Sequence, residues 1–290
     1  MQIKLLSEMS KISAIAVYYK EIFQQIITHR VINCNANKMA YESEEALTLL
    51  DQKNHLQKPE VTVLDLLRNK LPKMRMLDIG IGTGRTTVHF ASLAKEYIGV
   101  DYSNYMIKVC RKRLQNFPSN VTFKVADARA MTFFEDGYFD FVLFSFNGID
   151  YVEHNERLKI LQEIHRITKK HGYFCFSTHN LNYQSYCSIR LSRNPLILKR
   201  RITRLLRMRL LNTRSWKSIR NPSKSPQHAM VNDGALNFTM ITYYITPAAQ
   251  LKQLESLGFS NTKVYGLNGV EVKTIAKNND QWLYYLTKVI

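Results

Sequence analysis

The chain has 290 residues, of which 45% are hydrophobic and 22% charged, and its formal net charge is +18. These values are typical of a globular protein with one main domain and some additions. No apolar run approaches the roughly 18 residues of a membrane span, and Glu8 and Lys11 interrupt the segment that would serve as a signal peptide. We therefore expect a cytoplasmic protein that is neither exported nor membrane-spanning.

The cysteines and histidines show no pattern of a disulfide framework or a metal site. The four cysteines, Cys34, Cys110, Cys175 and Cys187, are far apart and form no CxxC pair, and the eight histidines are not clustered. A chain of this length folds without cross-links, so we expect reduced thiols packed in the interior and no bound metal.

The first 72 residues are predicted to be a helical lead-in. Weak helical periodicity is seen in "AIAVYYKEIFQQIITHRVI" and "EEALTLL", Pro59 interrupts it, and "VTVLDLLRNKL" resumes it. From Lys73, short apolar runs alternate with amphipathic stretches. The predicted strands are "MRMLDIG", "YIGVD", "VTFKVAD", "YFDFVLFSF" and "GYFCFSTH". Strands that alternate with helices predict βαβ units and a parallel sheet covered on both faces.

The predicted helices between these strands have recognisable ends. "TTVHFASLAK" follows the first strand, and "SNYMIKVCRKRLQ" begins behind Ser103, which we expect to cap it. The helix in "EHNERLKILQEIHRITK" is expected to stop at Gly172. Their apolar stripes are assigned to the core.

The region after the fifth predicted strand is strongly basic. Between Glu163 and Asp233 it holds fifteen lysines and arginines and no acidic residue. Within it, "LILKRRITRLLRMRLL" predicts a basic amphipathic helix. "DGALNFTMITYYI" is predicted to be a strand, and a helix follows from a Thr246 cap to Gly258. The last strands, "TKVYGL" and "QWLYYLTKVI", are predicted to pair antiparallel.

Three glycines at every second position follow the first predicted strand, in "MLDIGIGTGRTT". A glycine-rich turn between a strand and a helix is typical of nucleotide binding. The dinucleotide fingerprint needs G-x-G-x-x-G, but Arg85 stands where its third glycine belongs. Asp78 would repel a diphosphate, whereas it can accept a hydrogen bond from an ammonium group. The loop therefore favours a nucleoside that carries an amino acid, S-adenosylmethionine.

Acidic residues end the next two predicted strands. Asp101, in "YIGVDYS", is placed where a carboxylate can accept from both ribose hydroxyls. Asp127, in "VTFKVADARAM", can accept from the adenine amino group, with Ala128 and Arg129 supplying backbone contacts. Because neighbouring parallel strands end at the same crevice, we expect these residues to share one pocket.

On these motifs the chain resembles the class I S-adenosylmethionine-dependent methyltransferases, specifically the small-molecule type with an "LDIGxGTG" loop. The resemblance covers about Lys73 to His179, and the final helix and strand pair resemble the family's closing hairpin. It implies an α/β, Rossmann-like, seven-stranded and mostly parallel sheet with helices on both faces. It also implies S-adenosylmethionine as the cofactor, held by Asp78, Gly80, Gly82, Gly84, Asp101, Tyr102, Met106, Asp127, Ala128, Phe146 and Asn147.

The methyl acceptor is constrained mainly by what the sequence lacks. Where enzymes that methylate the amines of adenine or cytosine carry Asn/Asp-Pro-Pro-Tyr/Phe, this chain has Asn147-Gly148-Ile149-Asp150. It also lacks the cysteine of C5-cytosine methyltransferases there, and the glutamate pair of protein arginine methyltransferases. We therefore expect a nitrogen or oxygen atom of a small molecule or lipid as the acceptor.

A hydroxyl acceptor usually needs a general base, whereas an amine needs only to lose a proton. The polar residues near the predicted strand ends are Asp150, Tyr151, His154 and His179. Among them and the neighbouring residues, His179, Asn147 and Tyr151 are our candidate catalytic residues.

The basic segment leaves several functions open. Residues 195–211 have three alternative interpretations: a lid over an acidic acceptor, a helix that lies on an anionic membrane, or a helix that binds RNA phosphates. Nucleic acid is less favoured, because only Trp216 offers an aromatic ring for base stacking between Tyr186 and Phe238. The alternatives are thus an RNA methyltransferase that uses residues 190–224, and a non-catalytic subunit that binds S-adenosylmethionine.

These patterns predict four parts of the chain. They are a helical N-terminal lid at residues 1–72, a cofactor-binding core at 73–185, a basic acceptor-side insertion at 186–245, and a C-terminal helix and β-hairpin at 246–290.

Overall fold

The computed structural model describes residues 37, 39, 41–42, 54–115, 118–183, 195–213 and 227–290. Its helices in these ranges are α1 (Lys58–Leu67), α2 (Thr87–Phe90), α3 (Asn104–Arg113), α4 (His154–Ile167), α5 (Pro195–Leu211) and α6 (Pro247–Ser256). The strands are β1 (Arg75–Ile79), β2 (Glu96–Asp101), β3 (Val121–Val125), β4 (Phe139–Phe144), β5 (Thr168–Asn180), β6 (His228–Val231), β7 (Thr242–Ile245), β8 (Phe259–Tyr265) and β9 (Trp282–Val289). The helices predicted in "AIAVYYKEIFQQIITHRVI" and "EEALTLL" lie outside the described residues.

The described strands form one sheet in the order β3–β2–β1–β4–β5–β7–β6, and β9 joins β5 to β8. Strands β1 to β5 pair in parallel, which confirms the expected Rossmann-like sheet. The closing hairpin of β8 and β9 is antiparallel, as predicted, and β9 also runs antiparallel to β5. The described residues form nine strands where seven were expected, because β6 and β7 make an additional antiparallel pair.

Strand β7 is shorter than "DGALNFTMITYYI" led us to expect. Residues Leu236, Asn237 and Phe238 have positive φ and form a tight turn, which ends the extended backbone before Thr242. His179 pairs with Trp282 of β9 and with Tyr244 of β7, so these strands lie on opposite edges of β5. Strand β9 pairs with the edge of β5 that is opposite β4. Strand β7 therefore pairs with the same edge of β5 as β4 does, beyond the end of β4.

Helices cover both faces of the sheet. One core cluster joins the strands to α4 and α6, and a second joins them to α1, α2 and α3. Leu77 belongs to the first cluster and Met76 to the second, because successive side chains of a strand point to opposite faces. This arrangement buries both faces and leaves the carboxyl ends of the strands as the place for a ligand.

Several predicted helix ends are confirmed and others are corrected. Ser103 Oγ accepts from the Met106 amide at 3.2 Å, and Thr246 Oγ1 accepts from the Ala249 amide at 3.3 Å, so both predicted caps form. Pro59 does not interrupt a helix but lies in the first turn of α1, where a missing N–H costs nothing. Helix α4 ends at Ile167, five residues before Gly172, because strand β5 already begins at Thr168.

Only four residues of the predicted helix "TTVHFASLAK" form α2.

Among the described residues, no helix is both long enough and apolar enough to cross a bilayer.

Candidate active site

A pocket with a volume of about 650 Å³ lies at the carboxyl ends of β1 to β4. Its wall brings together most of the residues that the sequence indicated for the cofactor and acceptor. Those on the wall are Asp78, Gly80, Gly82, Asp101, Tyr102, Asp127, Ala128, Phe146 and Tyr151. Gly84, Met106, Asn147 and His179 are not part of this lining.

The glycine loop after β1 has a backbone that only glycine adopts without strain. Gly80, Gly82 and Gly84 have φ angles of 68°, 53° and 90°, in the left-handed region. A Cβ at Gly80 would lie 3.0 Å from the Phe144 ring, and one at Gly82 would lie 3.2 Å from the Tyr41 hydroxyl. The first two glycines therefore keep backbone, and no side chain, at the pocket wall.

Gly84 and Met106 lie behind the loop. A Cβ at Gly84 would approach Leu114 Cδ1 to 2.7 Å and Cys110 Sγ to 3.0 Å, so this glycine lets α3 pack closely against the loop. Met106, on the same helix, is fully buried. Both residues support the pocket from within the core.

Asp101 is held in place by two backbone amides. Its Oδ2 accepts from the Gly82 amide and its Oδ1 from the Ser103 amide, both at 2.9 Å. Burial raises the pKa of Asp101, and these two amide donors oppose the rise. The carboxylate therefore has a fixed orientation and oxygen lone pairs left for further donors.

Tyr41 is a pocket residue that sequence reasoning missed. Its hydroxyl donates to Asp101 Oδ2 at 3.3 Å, and its ring stacks on Tyr102 with the centroids 5.6 Å apart. Asn37 lies nearby, where its Nδ2 donates to the backbone oxygens of Tyr151 and Ile241 at 2.9 and 3.0 Å. The described residues of the N-terminal segment thus close one side of the pocket, but no local pattern marks them in the sequence.

Asp78 is a buried carboxylate on the pocket wall. The hydroxyls of Thr86 and Tyr97 both donate to its Oδ2 at 2.6 Å. Burial raises the pKa of Asp78 to about 6, although these two hydrogen bonds lower it. Its Oδ1 carries neither of the two hydroxyl contacts.

Arg85 takes part in a buried ion pair that ties α1 to the glycine loop. Its two terminal nitrogens each lie 2.6 Å from a carboxylate oxygen of Glu60, which is fully buried. Glu60 also accepts from Ser145 and, at 2.9 Å, from the Tyr284 hydroxyl. The Arg85 guanidinium lies 5.2 Å from the centre of the Phe146 ring. From the sequence, Arg85 served only to exclude the dinucleotide fingerprint, and this network was not predicted.

Asp127 is half-exposed and paired with Arg129. The guanidinium and the backbone amide of Arg129 donate to its carboxylate at 2.6–3.0 Å, and the guanidinium also contacts Glu156. Ala128 lies between them on the pocket wall. This pairing orients the Asp127 carboxylate at the rim expected for an adenine ring.

The chain turns sharply after β4. Phe146 and Asn147 have φ angles of 52° and 61°, in the left-handed region that few non-glycine residues adopt. Phe146 is exposed at the pocket, and its ring packs edge to face against Trp282 with the ring centroids 6.0 Å apart. The Asn147 amide donates to Ser177 Oγ at 2.8 Å, while its side-chain Oδ1 is buried with no hydrogen-bond partner among the described residues.

Asp150 and His179 form a buried pair next to this turn. Asp150 Oδ2 lies 2.8 Å from His179 Nδ1 and accepts from the His179 amide at 2.8 Å. Its Oδ1 accepts from Thr178 at 2.7 Å and from Arg157 at 2.6 Å. Donation from Nδ1 leaves Nε2 as an acceptor, and Nε2 lies 3.5 Å from the Asn147 side-chain nitrogen.

His154 does not contact the Asp150–His179 pair. Its Nδ1 lies 2.7 Å from the Tyr243 hydroxyl, and its ring stacks on His228 with the centroids 4.0 Å apart. Burial lowers the pKa of His154 and the pKa of His228, and the positive charge of Arg157 lowers both pKa values further. This residue, which the sequence offered as one of four polar candidates, belongs to the packing between α4 and the β6–β7 pair.

The comparisons with known proteins agree with this geometry. Residues 76–172 match the family described as "Methyltransferase domain". A demethylmenaquinone methyltransferase from Renibacterium salmoninarum is 35% identical over 102 residues, which are 35% of this chain and 40% of that protein. The chain therefore spans about two fifths of the length of this curated relative.

Two solved structures share the fold across most of the chain. One is an S-adenosylmethionine-dependent methyltransferase from Mesorhizobium loti, with a TM-score of 0.53, 17% identity, and coverage of 78% of this chain and 97% of that one. The other is the 1,6-didemethyltoxoflavin-N1-methyltransferase from Burkholderia thailandensis with bound 1,6-didemethyltoxoflavin and S-adenosylhomocysteine. Its TM-score is 0.55 at 12% identity, with coverage of 88% and 87%. The family match over residues 76–172 agrees with the resemblance to S-adenosylmethionine-dependent methyltransferases stated from the sequence, and the two structures show the fold. The small-molecule type stays a prediction.

Proposed function

We propose that this chain, which carries a class I S-adenosylmethionine-dependent methyltransferase domain, transfers a methyl group from that cofactor to a nitrogen or oxygen atom of a small molecule or lipid. The observation that carries the proposal is the pocket itself. It gathers the glycine loop, Asp78, Asp101 and Asp127 from the ends of three neighbouring strands.

The pocket residues fit the cofactor in charge and shape. Asp101, oriented by two backbone amides, suits the ribose hydroxyls, and Tyr102 offers a ring face for the adenine. Asp127 is placed to accept from the adenine amino group, and Asp78 from the ammonium group of the methionine part. The bound cofactor supplies an activated methyl group, so the protein's contribution is to orient the acceptor and exclude water.

The acceptor side of the pocket is formed by residues from three parts of the chain. Phe146 and Tyr151 follow β4, Asn37 comes from the N-terminal segment, and Ala235, Leu236 and Met240 come from the segment before β7, which Asn37 contacts at Ile241. This supports the expectation that residues 1–72 and 186–245 cover the acceptor, while residues 73–185 and 246–290 build the core. The mostly apolar wall favours a small or lipid-like acceptor, with which the names of the Renibacterium relative and of the Burkholderia structure are compatible.

Tyr151 is the candidate catalytic residue that lines the pocket. Asn147 and His179 lie behind the turn of Phe146 and Gly148, and we assign them as positioning residues for that turn. We expect Tyr151→Phe to lower turnover by about 10²-fold or more, because the proposed role of its hydroxyl is to assist proton removal from the acceptor. Cofactor affinity should stay unchanged, and Tyr105→Phe, at an exposed position on α3, is the matched control.

The proposal is tested with methyl-labelled S-adenosylmethionine and a cell extract separated into small-molecule, lipid and RNA fractions. We expect label in the small-molecule or lipid fraction, and about tenfold less label with Asp101→Asn when the cofactor is kept below saturation. Label in the RNA fraction would instead establish the RNA methyltransferase alternative. Cofactor binding with no transfer to any fraction would identify a non-catalytic subunit and contradict the proposal.

A further inference from the structure

Helix α5 has an exposed apolar ridge on its solvent face. Ile202, Leu206 and Leu210 are spaced four residues apart, so they lie along one side of the helix. Their exposed fractions are 39%, 56% and 43%. The helix also has a separate inward side, where Met208 and Leu211 are buried. The ridge is therefore additional to the apolar contacts that hold α5 on the protein.

Exposed cations lie on the same helix as this ridge. Lys199, Arg200 and Arg209 are exposed, and among the described residues none of the three forms an ion pair. The sequence also places no acidic residue between Glu163 and Asp233. The exposed surface of α5 thus combines apolar side chains with unneutralised positive charge.

Helix α5 contacts the segment that lines one part of the pocket. Arg204 donates to the backbone oxygen of Asp233 at 3.0 Å. The Asn212 side chain, just after α5, donates through Nδ2 to the Asn232 backbone oxygen at 2.9 Å and accepts through Oδ1 from the Asn232 amide at 2.7 Å. The Arg207 guanidinium lies 4.3 Å from the centre of the Phe238 ring. Residues 235, 236 and 240 of the same segment line the pocket, so whatever α5 binds is brought beside the acceptor side.

We propose that α5 is a docking surface for an anionic phospholipid bilayer and lies in the plane of the interface. A helix with apolar residues between basic ones buries the apolar side chains at the headgroup boundary, while the cations contact anionic headgroups. Phosphates of RNA would satisfy the cations but would leave Ile202, Leu206 and Leu210 in water. Docking places the pocket at the membrane, where an acceptor of the lipid class of the proposed function is found. This last consequence rests on the proposed function, but the docking surface itself does not.

The test is co-sedimentation of the full chain with vesicles of phosphatidylcholine, with and without phosphatidylglycerol, at low salt and at about 0.15 M salt. We expect sedimentation with the anionic vesicles and none with the neutral ones. Each surface cation contributes about fivefold to the partition coefficient. The variant K199Q/R200Q/R209Q should therefore bind about 100-fold more weakly, and I202S/L206S/L210S should lose the binding that persists at higher salt.

The matched control is K95Q/K108Q/K112Q, which removes the same charge from exposed positions outside α5 and should change partition far less. Binding of S-adenosylhomocysteine and the melting temperature, measured for every variant, show that each is folded. The proposal is overturned if the wild-type chain fails to sediment with anionic vesicles at low salt, or if the control variant loses as much binding as the α5 variants. It is also overturned if short RNA duplexes, and not vesicles, bind through Lys199, Arg200 and Arg209. Vesicle binding needs no methyl transfer, so either result leaves the methyltransferase proposal to its own test.

Discussion

At the scale of a single residue, the charge on Asp78 has two opposing effects: it lowers the stability of the fold, and in the proposed function it binds the cofactor. Its carboxylate is buried, so its pKa of about 6 in the folded protein lies above the ordinary value of 3.8. The folded state therefore binds more protons than the unfolded state between these two pH values, and the free energy of unfolding falls as pH rises through that window. The same charge is the one that we propose accepts a hydrogen bond from the ammonium group of the cofactor.

Replacing Asp78 by Asn should separate these two effects. The amide keeps an oxygen for the Thr86 and Tyr97 hydroxyls but cannot ionise, so we expect the free energy of unfolding at pH 7 to rise by about 1–3 kcal/mol. Affinity for S-adenosylhomocysteine should fall in the same variant. Urea unfolding between pH 4 and pH 7 measures the first effect, and the gain should disappear toward pH 4.

The control for this prediction is Asp65→Asn, at an exposed position on α1. It should change stability by no more than about 0.5 kcal/mol. An Asp78→Asn variant that is less stable than wild type at pH 7 would contradict the assigned role of burial.

At the level of elements, one buried arginine joins α4 to its neighbours. Arg157 is fully buried and donates to Asp150 at 2.6 Å and to Gln250 of α6 at 2.8 Å. Its guanidinium also lies 4.8 Å from the centre of the Tyr243 ring in β7. Through Asp150 the same network reaches His179 at the end of β5. Arg157 thus joins the other contacts that hold the turn after β4, which borders the acceptor side.

Arg157→Met should be strongly destabilising, because it leaves the Asp150 carboxylate buried without its counter-charge. We expect a loss of about 3–5 kcal/mol in the free energy of unfolding. Adding Asp150→Asn should recover part of the loss, since the uncompensated charge is then removed. Chemical unfolding of the two single variants and the double variant gives the coupling energy.

Arg166→Met provides a comparison on the same helix. That arginine pairs with Asp136 and Glu163 at a partly exposed position, where such pairs contribute about 1 kcal/mol or less. Equal losses for Arg157→Met and Arg166→Met would contradict the buried network described above.

Across the whole molecule, the sequence predicted the elements whose signals are local. The alternation of apolar runs and amphipathic helices predicted the parallel sheet. The acidic residues within about two positions of the carboxyl ends of β1, β2 and β3 predicted that Asp78, Asp101 and Asp127 would meet in one pocket. Strand order then brings these residues together, because neighbouring parallel strands end at the same edge.

Features that depend on distant parts of the chain were missed. The contacts of Tyr41 with Asp101 and of Glu60 with Arg85 join residues far apart in sequence, and neither position has a pattern of its own. The strand pair β6–β7 was not predicted as such, because each strand has only four residues and three consecutive residues with positive φ stand between them. Periodicity carries too little information over so short a segment.

The central claim, that the pocket binds S-adenosylmethionine, is tested most directly by calorimetric titration of the chain with S-adenosylhomocysteine, S-adenosylmethionine and NAD. We predict binding of both adenosyl compounds. Asp101→Asn should weaken the binding of both by about tenfold or more while the melting temperature shows a folded protein, because the ribose hydroxyls lose a charged acceptor. No binding of either adenosyl compound to the folded chain, or tighter binding of NAD, would contradict the claim.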